Sequence, residues 1–279
     1  MIAVFGRGFL GRRLAAALPG AVLVDADITD QRAVARALDG AEAAINAAGK
    51  TGRPNVDWCE AHPAETVHAN VTGALVLAEA CAARGVYLLH LGSGCVYYGP
   101  SPRPGGWRED DPADPVSLYS RTKYAADLAL CAMGGVGIAR LRMPIDHVPD
   151  PRNLVTKLAG YTEVVDVANS VTVVDDLVPV VAGLIARRAT GIFHATNPGL
   201  LRHRDLLASY RRFVDPAHTC TFIDEAALVS RGLAVRARSN CALADTRLAA
   251  LGLSMRPIAE VLDGVMRAYA KQVSGPGAR

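Results

Sequence analysis

The sequence has little that would suit a metal site, a membrane or a nucleic acid. Its six cysteines (Cys59, Cys81, Cys95, Cys131, Cys220 and Cys241) form no CxxC pair, and no histidines stand at zinc-ligand spacing from them. No metal is therefore expected. Apolar runs are short of the roughly 20 residues that cross a bilayer, so no membrane partner is expected either. Basic residues are scattered, aromatics are only 5% of the chain and the net charge is +3, which gives no nucleic-acid footprint. With the first apolar run already at Ile2–Phe5, no signal peptide is expected. These absences predict a soluble, cytoplasmic protein with reduced thiols.

What is present is apolar and regularly spaced. Hydrophobic residues make up 51% of the 279 positions and charged ones 20%, enough for one large domain or a core with a smaller lobe. Short apolar or β-branched runs at Ile2–Phe5, Ala21–Val24, Ala43–Asn46, Val86–Leu91 and Val136–Leu141 read as strands. Helical patterns fall between them, near Phe9–Leu18, Gln31–Leu38, Ala61–Ala83 and Ser117–Ala132. Repeated β-α-β units predict an α/β fold, a Rossmann-type doubly wound parallel sheet. After about residue 143 proline and polar residues break the rhythm. Helices at Val174–Arg187, His203–Phe213 and Ile258–Lys271 read as standing further from any strand. That pattern predicts a core over 1–145 and a smaller C-terminal lobe over 146–279, with crossings back to the core.

Gly6-Arg7-Gly8-Phe9-Leu10-Gly11 follows the first strand and opens the first helix. Gly6 permits the tight turn, Gly8 lets a pyrophosphate approach the backbone, and Gly11 allows close helix–strand packing. The helix N-terminus adds free N–H groups for phosphate. The bland alternative is a glycine-rich turn, but the strand–turn–helix context favours a dinucleotide. Asp25, ending the second strand, suits an adenosine ribose diol and repels a 2′-phosphate, whereas Arg7 suits that phosphate. Asp27 and Ile28 fall beside the adenine. NADPH and NADH both remain open.

Tyr119 and Lys123 are four residues apart on a predicted helix and so share a face. A cation beside the phenol, together with an oxidised nicotinamide, is expected to depress the pKa of Tyr119 and make it a proton donor or acceptor near neutrality. Alone this pair is a common accident of helix faces. Upstream, Leu88–Tyr97 reads as a strand ending in a small-residue turn, with Ser93 at its carboxyl end. A hydroxyl there can orient a substrate carbonyl while Tyr119 protonates it. The glycine turn, Ser93 and the Tyr119–Lys123 pair fall in the order used by short-chain dehydrogenases/reductases.

The resemblance narrows with longer segments. The NAAGKTGRPNVDWCE run from Asn46 to Glu60, Arg142–Ile145, Pro151–Lys157, Thr190–Gly199 and Arg238–Asn240 are all similar to the extended short-chain reductases of nucleotide-sugar metabolism. They resemble the UDP-4-keto-6-deoxyglucose 3,5-epimerase/4-reductases of UDP-rhamnose synthesis and, more distantly, the dTDP-4-dehydrorhamnose reductases. The likeness runs nearly end to end. It implies that Ser93, Tyr119 and Lys123 carry reduction, with serine where the plant enzymes resemble a threonine. It also implies that Cys95 and Lys157 carry epimerisation. Read without the resemblance, Cys95 is a small buried hydrophobe and Lys157 a surface lysine.

Under that resemblance Ala47, Ala48 and Gly49 let the cofactor backbone pass the third strand, and Lys50, Thr51 and Asn153 face the sugar. Arg238 and Asn240 meet the diphosphate or uridine, a surface ion pair being the plain alternative for Arg238. Asn70 ties a loop to the sheet. Residues 1–145 are then an NAD(P)-binding core and 146–279 mainly a substrate-binding lobe. The implied partner is a nucleotide sugar, most simply a UDP sugar, and a homodimer through a helical face is compatible with the wider group. Two rivals stay open: a monofunctional 4-keto-reductase, and a non-catalytic cofactor-binding regulatory subunit. Two features depart from the pattern. The glycine turn is one residue shorter than the GxxGxxG usual in extended reductases, and Asp25 stands where the plant enzymes look suited to NADPH.

Overall fold

The computed structural model describes residues 1–274. Strands β1 (Ile2–Phe5), β2 (Ala21–Val24), β3 (Ala43–Asn46), β4 (Tyr87–Ser93) and β5 (Val136–Leu141) lie where the apolar runs place them, β4 reaching two residues further than predicted. The second half adds β6 (Pro144–Ile145), β7 (Glu163–Val165), β8 (Ala168–Val173), β9 (Gly191–His194), β10 (Asn197–Arg202) and β11 (Thr221–Ile223). The main sheet is parallel throughout, in the order β2-β1-β3-β4-β5-β9. Strand order reverses between β1 and β3, the place where open α/β sheets form a crevice at their carboxyl ends.

Period-two alternation sends neighbouring side chains to opposite faces. Val4, Ile45 and Leu89 pack with Leu14 of α1 (Phe9–Ala17) on one face. Ala3, Phe5 and Leu88 pack on the other against Val34 of α2 (Gln31–Ala37). The single helix expected over Ala61–Ala83 is instead broken. It comprises α3 (Asp57–Ala61), α4 (Pro63–Val67), a π turn (His68–Thr72) and α5 (Gly73–Ala82). Pro63 has no N–H and disfavours helical backbone at His62, so a new helix starts there. Beyond it α6 (Leu118–Met133) packs Ala126 and Leu130 on the same face as α5.

The second half corrects another expectation. After α7 (Leu154–Ala159), helix α8 (Val174–Ala186) begins where β8 ends, and α9 (His203–Phe213) begins where β10 ends. These helices do not stand apart from strands. β10 went unread because its NPGLLR sequence has no alternation and includes a proline and a glycine. With α10 (Glu225–Ser230) and α11 (Ile258–Val273) the half builds its own core from Ile145, Val171, Leu206 and Met266, while β9 crosses to the main sheet. Arg13 of α1 reaches over to Asp146 and Asp175, which ties that half to the first helix. Among the described residues no helix is long and apolar enough to cross a membrane.

A returning segment decides where the site lies. Trp107 N–H donates to the Ala242 carbonyl and Ala244 N–H to that of Trp107, both at 2.8 Å. Cys241 N–H and Leu243 N–H donate to Asn169 Oδ1 and Ser170 Oγ of β8. Fixed in this way, residues 238–240 lie against the carboxyl end of β4. The glycine turn offers a test of the packing. A Cβ on Gly11 would lie 1.8 Å from the Gly6 carbonyl oxygen, while one on Gly8 would meet nothing within 4 Å. Gly11→Ala is therefore expected to lose about 2–3 kcal/mol of stability in urea unfolding. Gly8→Ala should lose less than about 1 kcal/mol, and equal losses would contradict the close packing.

Candidate active site

The β1–α1 turn has the form that phosphate binding needs. Gly6 has φ +100°, a backbone that disfavours any other residue, and a Cβ there would run into the Ala47–Ala48 peptide at about 2.5 Å. Gly8 begins α1 with open space beside it and no side chain capping the helix N-terminus. A cavity of about 380 Å³ opens next to this turn. Its lining includes Gly6, Arg7, Asp25, Asp27, Ile28, Ala48 and Gly49, half of the predicted cofactor residues, together with Lys50. Phe9, Leu10 and Gly11 lie behind it in α1, where Phe9 and Gly11 are buried. The free helix N-terminus and a bare glycine turn facing a cavity fit a dinucleotide phosphate.

Arg7 and Asp25, which argued for opposite cofactors, are paired at 2.8 Å on the cavity rim. Asp27 is occupied locally, accepting from Thr29 N–H and Thr29 Oγ, and these bonds hold its carboxyl below the usual range.

The second cluster forms where β4 ends. Ser93 Oγ accepts from Cys95 N–H at 3.2 Å and so begins a tight turn over Gly94–Val96. The Ser93 hydroxyl and the Cys95 sulfur both act on the Tyr119 phenol, which brings three predicted residues together. Burial pushes that phenol up, Cys95 adds to the effect, and the Ser93 hydrogen bond opposes it. This differs in direction from the depressed tyrosine expected from the spacing, because desolvation outweighs the neighbouring groups in the cofactor-free protein. Tyr119 thus keeps its proton. Lys123, one turn along α6, is buried and donates to the Leu91 carbonyl at 2.8 Å. Burial pushes its ammonium down to about 8, with Asp127 opposing.

Across the turn lies Lys157 on α7. Burial lowers its pKa first, then Arg238 and Arg152, while Cys95 and Asp57 pull the other way. Cys95 receives a 2.8 Å hydrogen bond from Arg142 Nη1. Arg142 is itself buried, bonding Asn169 Oδ1 and the Ser239 carbonyl.

Several predicted substrate residues have other work. Arg238 makes a bidentate pair with Asp57 at 2.6 and 2.7 Å, which occupies its fork. The Asn153 side chain, fully buried, caps α7 and donates to the Asp146 and Val148 carbonyls. It is therefore a structural cap and is not presented to a ligand. Asn240 accepts from Asn169, and its Nδ2 is buried with no partner among the described residues. Thr51 Oγ1 is likewise unpartnered, and Lys50 is half-exposed over the Trp58 ring. Asn70 ties the loop down as expected, bonding both the N–H and the carbonyl of Lys50. Asn46, Asp57, His90, Arg142 and Asn169 were given no site role by sequence reasoning. Each is a lone polar residue in an apolar or mixed run, a pattern that carries no periodic signal.

The family described as RmlD substrate binding domain matches residues 2–209. A bifunctional dTDP-4-dehydrorhamnose 3,5-epimerase/dTDP-4-dehydrorhamnose reductase of Arabidopsis thaliana is 43% identical over 169 residues, covering 58% of this chain and 56% of its own. The chain thus spans about half the length of that curated relative. The crystal structure of the L780 UDP-rhamnose synthase of Acanthamoeba polyphaga mimivirus superposes with a TM-score of 0.87 at 27% identity, covering 96% of this chain and 98% of that one. The dTDP-4-dehydrorhamnose reductase of Bacillus anthracis, solved in complex with NADP, superposes at 0.81. Its identity is 21%, over 95% of this chain and 97% of that one, and it shows the shared fold.

The depressed lysine gives a test in pH. Lys123 titrates at about 8 when folded against an ordinary 10.5, so between those values the unfolded chain binds more protons. Stability carried by this group therefore rises as pH goes from about 8 towards 10. Urea unfolding at pH 7 to 10 should show wild type gaining on Lys123→Met by up to about 1.4 kcal/mol per pH unit. Parallel curves would mean a solvated lysine.

Proposed function

Because the chain belongs to the RmlD substrate-binding-domain family, we propose that it is an NAD(P)H-dependent nucleotide-sugar 3,5-epimerase/4-keto-reductase, turning a UDP-4-keto-6-deoxyhexose into a UDP-rhamnose-type product. The observation that carries this reading is the end of β4. Two residues apart, it offers Ser93 to the Tyr119 phenol and Cys95 to Arg142, with Lys157 across the turn.

Gly6, Gly8 and the α1 N-terminus would hold the cofactor diphosphate, with Asp25, Asp27 and Ile28 around the adenosine and Ala47, Ala48 and Gly49 along its path. The reduced nicotinamide, when bound, supplies the hydride for C4. Tyr119 holds a proton that burial keeps in place, and it gives that proton to the 4-oxygen as negative charge develops there. Ser93 orients the same oxygen. Because the carbonyl and an enolate place charge on this one atom, both donors also serve the epimerisation. A 4-keto group acidifies the C–H bonds at C3 and C5. Lys157, with its proton affinity lowered by burial and two arginines, is deprotonated more readily than an ordinary lysine and suits the base. Cys95 stands as the second proton carrier, its sulfur held by Arg142.

We place the substrate between the Cys95 turn and the second half, over 146–279, with Lys50, Thr51 and the unpartnered Asn240 amide as polar contacts. Arg238 takes part once its pairing with Asp57 is exchanged for the diphosphate. In this reading the protein acts in the cytoplasm on a small-molecule substrate, and a homodimer through a helical face is compatible with it.

Separate variants divide the two half-reactions. With UDP-4-keto-6-deoxyglucose in heavy water, Tyr119→Phe should lose reduction by about 10²–10⁴-fold, while C3 and C5 still take up deuterium more slowly on the remaining Ser93 donor. Cys95→Ala and Lys157→Ala should lose that exchange by a similar factor. Exchange unaffected by both would leave a monofunctional 4-keto-reductase. No turnover by the wild type on 4-keto sugars, despite cofactor binding, would leave a regulatory subunit.

A further inference from the structure

One buried titratable side chain next to the site is used by neither half of the proposed reaction. His90 lies on β4, 1% exposed, between Asn46 of β3 and Lys123 of α6. Four hydrogen bonds run through it in series. Ala48 N–H meets Asn46 Oδ1 at 3.1 Å, and Asn46 Nδ2 meets His90 Nδ1 at 3.0 Å. His90 Nε2 meets Lys123 Nζ at 2.8 Å, and Nζ meets the Leu91 carbonyl at 2.8 Å.

Both ends of this series are backbone groups, so its direction follows by elimination. The Ala48 N–H can only donate, which requires the Asn46 oxygen to face it. The amide NH₂ then faces His90 Nδ1 and can only donate to it. A neutral imidazole has one N–H, and with Nδ1 accepting, that N–H is on Nε2. Nε2–H points at Nζ, so Nζ must offer a lone pair. An ammonium there would set two donors face to face in a buried place, which costs the bond and the desolvation of both groups.

We propose that His90 is a positioning residue that holds Lys123 as a neutral amine in the cofactor-free protein, by donating its Nε2–H to Nζ. This deepens the reading of the site given above, on which its meaning for catalysis rests. Burial keeps His90 itself neutral, lowering its pKa well below the ordinary histidine value. Charged and titratable groups around Lys123 do not reverse the argument. Asp127, one turn on, favours the ammonium, but it is paired with Arg140 of β5 at 2.8 Å. Tyr119, one turn back, keeps its proton, and the nearby thiols of Cys59 and Cys95 act on that phenol. With no full positive charge beside it, Tyr119 stays a loaded donor, as a reduction requires.

The test needs neither substrate nor turnover, so it can fail or succeed independently of the proposed reaction. NMR of the cofactor-free protein labelled with ¹⁵N-histidine and ¹⁵N-lysine reads both groups directly. For His90 the expected pattern is a protonated Nε2 and bare Nδ1 at every pH above the Lys123 midpoint, with that midpoint below the value of about 8 that burial gives. A proton on Nδ1, or an imidazolium, would overturn the proposal. His90→Gln can turn a carbonyl oxygen towards Nζ, and it should raise the Lys123 midpoint by at least one pH unit. Asn46→Asp offers an acceptor to both Ala48 N–H and Nδ1, and should move the His90 proton to Nδ1 and raise Lys123 likewise. An unmoved lysine in whichever of the two variants folds would contradict the inference.

Discussion

A guanidinium buried without a carboxylate joins the parts of this chain that make its site. Arg142, just past β5, bonds the Cys95 sulfur on the β4 turn, Asn169 on β8 and the Ser239 carbonyl of the returning segment. Among the described residues no ion pair neutralises it. Removing a cation from water costs several kcal/mol unless its hydrogen bonds are met, and here neutral acceptors and a thiol meet those of the two terminal nitrogens, while Nε is buried with no partner among the described residues. Because these three partners come from distant stretches of sequence, the arrangement fixes the Cys95 turn against the second half of the chain. Arg140, two residues earlier, is also buried but is paired with Asp127 in the ordinary way. The contrast between two buried arginines in one strand region marks the end of β5 as the border between scaffold and site.

The site in turn depends on where the parallel sheet stops. β1 and β3 end level and β4 runs three residues further, so the glycine turn and the Ala48–Gly49 passage share one cavity, and the Ser93–Cys95 turn lies at the same end of the sheet. In the proposed reading a cofactor bound at the first reaches a sugar held at the last. Burial then sets the proton affinities: it keeps the proton on Tyr119 and weakens the hold of Lys123 and Lys157 on theirs. Two lysines with lowered affinity and one tyrosine with raised affinity form a set suited to accepting protons from carbon and giving one to oxygen.

Much of this was legible in the sequence for physical reasons. Strands β1, β3, β4 and β5 are short apolar runs largely buried on both faces, which leave a plain signal, and β2 at the sheet edge is a short apolar run that is half-buried. The glycine turn and the Ser93, Tyr119 and Lys123 set carry fixed spacings that the backbone must obey. What was not legible depends on contacts between distant residues. The Ala61–Ala83 stretch is rich in helix formers. Its break at His62 follows from Pro63, and the π turn places Asn70 against Lys50 and Thr122. Asn153 read as a sugar contact because it lies in a matching segment, but its amide is spent capping α7. His90 is a polar residue in an apolar strand and Arg142 follows the end of another, and nothing nearby in the sequence distinguishes a hydrogen-bond hub from a satisfied core residue.

The central claim is that one crevice joins cofactor and sugar so that reduction occurs at C4. Its most direct test gives the wild-type protein UDP-4-keto-6-deoxyglucose and NADPH deuterated at nicotinamide C4, in ordinary water, and follows the sugar by NMR. The account predicts a rhamno-configured product with the label at sugar C4 and nowhere else. Cofactor that binds without passing its label to the sugar would contradict it.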